Sequence, residues 1–240
     1  PWHQNIGGDA ADAYPVLDAS HDAVTGNHFG DSYSIATADE LVAFAQAVNG
    51  SAGKTCIGYL TADIDMREQT GGVTNWTPIG TQSNPFTGLF YGGGHTIDYL
   101  ACRYEHSSDD IDVGLFGTLG MRAEIHDVIL GEHSSIYSTQ PGVGGIAGGV
   151  RVPDLNIGTV TISGCGNLAP ITGKHHVGGI VGGAYDDTKL TLVIADCFNR
   201  GAIRPFLPCN PGSNTGESGA ICGYTLPTAV VRRCWNDGLV

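Results

Sequence analysis

Apolar and polar positions follow two rhythms along this chain. Over residues 37–50, TADELVAFAQAVNG, the residues Leu41, Phe44, Ala45 and Val48 recur at helical spacing and share one face of a short amphipathic helix. Thr37 followed by Glu40 predicts a capping box, with the threonine hydroxyl accepting from the Glu40 amide and the carboxylate reaching back. Gly50 supplies the stop. A helix this short needs a surface to cover, so the expectation is a lid over the open end of a β structure. From Cys56 the period drops to two: Ile57, Tyr59 and Thr61 alternate with Gly58, Leu60 and Ala62, as in a strand. Phe86, Phe90, Ile97 and Leu100 follow, separated by glycine-rich turns.

From residue 111 to 240 the pattern repeats. The blocks VGLFG (113–117), VGGIAG (143–148), VGGIVG (177–182) and SGAICG (218–223) recur in order, and their markers Gly114, Gly144, Gly178 and Gly219 are 30, 34 and 41 residues apart. A second block lies between them: IHDVIL (125–130), ISGCGNLAPI (162–171), IADCFNRGAI (194–203) and VRRCWNDGLV (231–240). Its last three copies carry Cys165, Cys197 and Cys234, each followed two residues later by Asn167, Asn199 and Asn236. A single unit of this kind cannot bury its own apolar face, so neighbours must stack as coils of parallel strands. Asparagine at equivalent turn positions suits a left-handed backbone and can form ladders along the stack. Inserts at 186–189 and 208–216 account for the uneven steps as external loops. One detail resists: Val177 and Ile180 have opposite parity and share a face of a regular strand only through a glycine bulge.

Composition agrees. The 37 glycines suit turns rather than helices, and 41% hydrophobic residues argue against disorder. The formal charge of −13, with only 11 scattered Lys and Arg, argues against nucleic acid as a partner, since its phosphates need clustered basic residues. No apolar stretch is long enough to span a membrane. The seven cysteines show no CxxC pair; their repeated placement favours small buried thiols, with one or two disulfides as the alternative. Residues 1–32 read as the tail of a preceding segment or linker and 33–240 as the repeat-built unit, so the chain is expected to belong to a longer precursor.

Chemistry-bearing motifs are few. The zinc-peptidase pattern H-E-x-x-H, the nucleophile elbow G-x-S-x-G and the phosphate loop are absent. Residues 142–147 match the letters of a dinucleotide fingerprint, but Gly148, Gly149 and Pro153 follow where a helix is required. Asp63 and Asp65 sit two apart on a strand, as an acid/base or Ca²⁺ pair would, although bonding to turn amides is the simpler role. Asp109, Asp110 and Asp112 form the densest acidic loop and are the candidate Ca²⁺ ligands, against a solvated acidic turn. His175 and His176 are adjacent and should point to opposite faces, as exposed loop residues. His95 reads as a turn residue, and Trp76 as a core filler that could instead present a sugar-stacking ring.

The blocks VGLFG, VGGIAG and VGGIVG resemble the GLUG motif, a glycine-rich repeat of bacterial surface proteins, adhesin-like proteins and some IgA-cleaving metallopeptidases. SGAICG departs from it at Ser218 and Cys222. The stretch from Tyr33 through Leu60-Thr-Ala-Asp, Trp76-Thr-Pro-Ile-Gly and Phe86-Thr-Gly-Leu-Phe is similar to the segment that leads into such repeats. The resemblance implies an all-β, right-handed β-helix-like solenoid with an N-terminal capping helix, placed outside the cell. It carries no catalytic residues. The functional expectation is a non-catalytic adhesive or spacer module that joins the rest of its parent polypeptide and binds a host protein or glycan. The alternatives are a carbohydrate-active β-helix enzyme (a polysaccharide lyase or hydrolase) and the non-catalytic region of a secreted peptidase.

Overall fold

In the computed structural model the described residues are 31–50, 55–72, 74–105, 111–151, 158–185, 190–206, 216–225 and 228–240. They form a β-solenoid of about four turns. The N-terminal segment 1–30, the insert 186–189 and all but the last residue of 208–216 lie outside the described residues.

The helix forms where its cap dictates. It spans Ala38–Asn49, with Glu40 N–H donating to Thr37 Oγ1 at 3.3 Å and Thr37 N–H to Glu40 Oε2 at 3.0 Å. Its buried face is Ala38, Leu41, Phe44, Ala45 and Val48. Phe44 packs against Phe86 and Phe90 with ring centroids 6.1 and 5.7 Å away, so the helix closes the N-terminal end of the coil interior. Two side chains tie it to the loops beside it: Asp39 accepts from Thr70, and Asn49 bonds both Pro78 O and Gly80 N–H.

Every strand pairing is parallel, and successive strands of each sheet come from successive coils. The largest sheet runs Ser32–Ile35, Ile57–Leu60, Leu89–Tyr91, Glu124–His126, Gly158–Ser163, Leu190–Ala195 and Val230–Arg232. Three further parallel sheets complete each coil. Because the register is in step, like residues stack on like. Phe90, Ile125, Ile162 and Ile194 form one interior column, and Cys102, Ile136, Ile171 and Ile203 form another. All eight are buried. In the last rung Val231, which continues the first column, is 46% exposed.

The repeated Cys-x-Asn blocks build two further interior features. Asn167 Nδ2 donates to Asn199 Oδ1 at 2.7 Å, and Asn199 Nδ2 to Asn236 Oδ1 at 2.8 Å. Each amide also donates to a carbonyl two residues ahead, Ala169, Gly201 and Gly238 respectively, at 2.8–2.9 Å. Two buried polar side chains, Asn167 and Asn199, are thus satisfied without water. Beside them the thiols of Cys165, Cys197 and Cys234 donate to carbonyls of their own and the preceding coil, for example Cys197 to Ala195 O at 3.2 Å and Ile162 O at 3.6 Å. The six described cysteines are unpaired thiols. Burial drives the Cys165 thiol well above its ordinary pKa and pushes Cys222 up to about 12, which makes both poor nucleophiles.

Two expectations are corrected. The ladder asparagines are not left-handed; that conformation falls three residues earlier, at Asp127, Gly164, Asp196 and Arg233, with φ of 53°, 66°, 55° and 52°. The chain turns from one sheet into the next there, and the cost of about 1–2 kcal/mol for a non-glycine residue is borne by the rung contacts that hold the corner. Val177 and Ile180 both face the interior because a sheet corner, not a bulge, separates them: one strand ends at Gly178 and the next begins at Val181.

That corner explains a glycine. Gly145 and Gly179 occupy equivalent positions, and a Cβ on either would collide with the next rung's backbone carbonyl and with Asn167 or Asn199. The earliest copy, VGLFG, is one residue shorter: Val113 pairs with Val143 and Phe116 with Ala147. The coil that follows it has Leu130 at the ladder position. The extra corner residue and the asparagine therefore arise together, as glycine in the two middle copies and as Ala220, ahead of Asn236, in the last.

Asn199→Ala removes the middle of the ladder and leaves the buried Asn167 amide short of a partner, so it should lower unfolding free energy by about 1–3 kcal/mol in a urea titration. Asn236→Ala, at the exposed end, should change the midpoint little. Equal effects would mean that the ladder is not a buried network.

Candidate functional site

Where do the chemistry-bearing side chains go? Most are engaged in pairs on the outer surface. Asp63 accepts from Thr96 N–H at 2.8 Å and from the His95 ring at 3.2 Å, and these bonds hold its carboxyl below the usual range. Asp65 accepts from Arg67 N–H and pairs with its guanidinium. Arg67 in turn lies 3.5 Å over the Tyr99 ring, whose other neighbour is His133, stacked at 4.6 Å. His133 bonds Asp98 at 2.8 Å. Burial pushes the Asp98 carboxyl up, but the bonds from His133 and the Tyr99 amide outweigh it and leave it lowered. The two aspartates singled out in TADIDM thus serve turns. Trp76 is 3% exposed and its indole N–H donates to Leu115 O at 2.9 Å, so it is a core residue and not a stacking platform.

The acidic loop divides. Asp109 and Asp110 lie outside the described residues. Asp112 is not on a solvated turn: its side chain is fully buried, and its carboxylate accepts from Thr118 Oγ1 at 2.8 Å and from Arg151 at 2.9 and 3.1 Å. A cation at Asp112 would have to compete with that guanidinium. Among the described residues no group of three or more His, Cys, Asp or Glu is arranged to hold a metal.

Asp112 instead begins a line of polar side chains that sequence spacing did not reveal. Arg151, at the end of the strand Ala147–Val150, lies 4.2 Å over the Tyr185 ring. Tyr185 follows the equivalent strand one coil later, Val181–Ala184, and its hydroxyl is 3.2 Å from His176 Nδ1. His176 also packs on Tyr224 at 4.7 Å, and its Nε2 is 3.6 Å from Glu217 Oε2. That oxygen is buried and has no hydrogen-bond partner among the described residues. The expectation of exposed loop histidines is therefore corrected for His176: both histidines lie in the strand Ile171–Gly178, and the His176 side chain is 14% exposed. Its φ of +49° breaks the alternation of the strand, which leaves the two imidazoles 6.4 Å apart. The signal available in the sequence was the recurrence of Arg151 and Tyr185 three residues beyond VGGIAG and VGGIVG; Tyr224, directly after SGAICG, stands opposite Gly183, and its approach to His176 becomes visible only once the coils stack.

Burial lowers the His176 pKa, with the Glu217 charge opposing, and it lowers that of His175 as well. Both imidazoles are thus favoured neutral in the fold.

On the other side of Asp112 is a pocket of about 580 Å³. Its rim is the arch 77–83, and Thr118 and Asp112 lie at its base. A smaller, more apolar hollow of about 290 Å³ lies between the helix and Trp76, lined by Val42, Ala45, Gln46 and Asn49. No helix among the described residues is long and apolar enough to cross a membrane.

No family model matches this chain, no curated protein matches it, and no solved structure matches it.

Two outcomes follow from the geometry. Asp112→Ala strands the Arg151 charge and should cost about 3–5 kcal/mol in chemical denaturation. Arg233→Ala, which removes an exposed pair with Asp196, should leave the midpoint unchanged within error. As for pH, a depressed imidazole pKa means the unfolded chain binds the proton first. Stability is then full above the ordinary imidazole value and falls as pH drops through the lowered value in the fold. The urea midpoint should decline from pH 7 towards pH 5, and His176→Gln should flatten that decline; an unchanged slope would remove His176 from the explanation.

Proposed function

We propose that this chain is a non-catalytic extracellular module of a bacterial surface protein, acting as a stiff spacer or adhesive scaffold. The observation that carries the reading is that, among the described residues, several charged side chains are paired between successive rungs. Asp98–His133, Asp63–His95, Asp112–Arg151 and Asp196–Arg233 each join two neighbouring coils. Groups held this way strengthen a stack and are poorly placed to turn over a substrate. Parallel backbone ladders closed on every side give a rod whose length grows by about 4.8 Å per coil. The likeness of its blocks to the GLUG repeat supports placing it at the cell surface, where a host protein or glycan is the expected partner.

One observation favours a second reading. A half-buried, neutral-favouring His176 lies beside the Tyr185 hydroxyl and the Glu217 carboxylate. Such groups could exchange a proton in a carbohydrate-active enzyme. The two readings part in a screen of acidic and neutral polysaccharides for released reducing ends or unsaturated products. The scaffold reading expects no turnover above blank. Reproducible product that disappears in Tyr185→Phe, with the fold intact by circular dichroism, would replace it with the enzyme.

A further inference from the structure

We infer that the 580 Å³ pocket between the arch 77–83 and the buried Asp112–Arg151 pair is a binding site for a neutral, hydroxyl-rich ligand of one or two sugar rings. This deepens the scaffold reading by giving the module a ligand, and it needs no bond to be made or broken.

The pocket is built, not incidental. Its arch is pinned to a strand of the solenoid within it and just beyond it: Thr118 N–H donates to Gly80 O at 3.0 Å, and Phe86 N–H donates to Thr118 O at 3.0 Å. Isolated parallel bridges at Ile79–Phe116 and Phe86–Leu119 fix the same two points. Within the arch, Thr81 N–H donates to Asn84 O at 2.9 Å, and Asn84 N–H donates back to Thr81 Oγ1 at 3.0 Å. From behind, Asn49 of the helix holds Gly80 N–H at 2.7 Å. A cavity whose wall is fixed before the ligand arrives loses little entropy on binding. Its volume lies in the range of small-molecule sites.

The lining specifies the chemistry. Thr77, Gln82, Ser83 and Tyr104 present hydroxyls and an amide, groups that both donate and accept. Ile111 and the Tyr104 ring supply apolar surface for the C–H faces of a sugar. Among the described residues no Lys or Arg lines the pocket, so an anion would find no counter-charge there. A cation would meet Asp112 already neutralised by Arg151 and bonded to Thr118. A neutral polyol is the class that fits both exclusions.

The test uses the full chain and two readouts. Saturation-transfer NMR and calorimetry against glucose, galactose, mannose, N-acetylglucosamine and their disaccharides should give saturable binding for at least one of them. Glucuronate, the anionic control, should bind at least about tenfold more weakly. Ser83→Trp fills the pocket from an exposed position and should abolish binding while leaving the thermal midpoint unchanged. Should that variant fail to fold, Gln82→Trp, also at an exposed position, takes its place. Absence of saturable binding by the whole panel, equal binding of glucuronate, or full binding by a folded pocket-filled variant would each overturn the proposal. None of those results bears on the polysaccharide turnover screen, so the two readings fail separately.

Discussion

Each coil of this protein satisfies its backbone through the coils on either side of it. Among the described residues the strands are short, many of only two to four residues, and none has a partner within its own coil. All their inter-strand hydrogen bonds run along the axis, in register, from one coil to the next. An unpaired buried amide or carbonyl costs about as much as a lost hydrogen bond, so the chain cannot slip by one residue without losing a ladder and turning its apolar side chains outward. Identical register then forces like residues together. Apolar columns, the thiol column and the amide ladder are all consequences of that single constraint.

The amide ladder shows how far the constraint reaches. A buried asparagine on one rung would be a liability, because a lone amide in an apolar interior leaves donors unmet. Repetition removes the liability, since each amide finds the next. The same stacking sets the corner: Gly145 and Gly179 are required because the asparagine of the neighbouring coil lies where a side chain would be. In the earliest coils the interior is filled instead by Phe86, Phe90 and Phe116, rings 5.2 Å apart, which the helix covers through Phe44. One end of the stack is thus sealed by aromatic packing, and the later coils are held by amides and thiols.

On the outer surface, stacking brings together residues that are far apart in sequence. The line from Asp112 through Arg151 and Tyr185 to His176 and Glu217 runs over four successive coils. A pocket opens at one end of that line and a half-buried imidazole sits at the other. Between them Arg151 neutralises Asp112 from the next coil, and pairing of this kind is why the scaffold reading is preferred.

Much of this architecture was legible in the sequence. The capping box at Thr37 and Glu40 and the helical spacing of Leu41, Phe44 and Val48 are local signals, and local backbone chemistry honours them. The recurrence of VGGIAG and Cys-x-Asn announced stacking, because a repeat that cannot bury its own apolar face must lean on its neighbour. The sites were not legible in the same way. Asp112 looked like part of an acidic loop, yet burial pairs it with Arg151, 39 residues away. His175 and His176 looked like opposed loop residues, until a left-handed backbone at His176 turned its ring towards Tyr185. Sequence periodicity determined which residues share a column, since register is a property of the repeat. Only the tertiary structure decided which residues meet across coils and corners, because those distances depend on how the coils turn and stack, and no spacing along the chain encodes that.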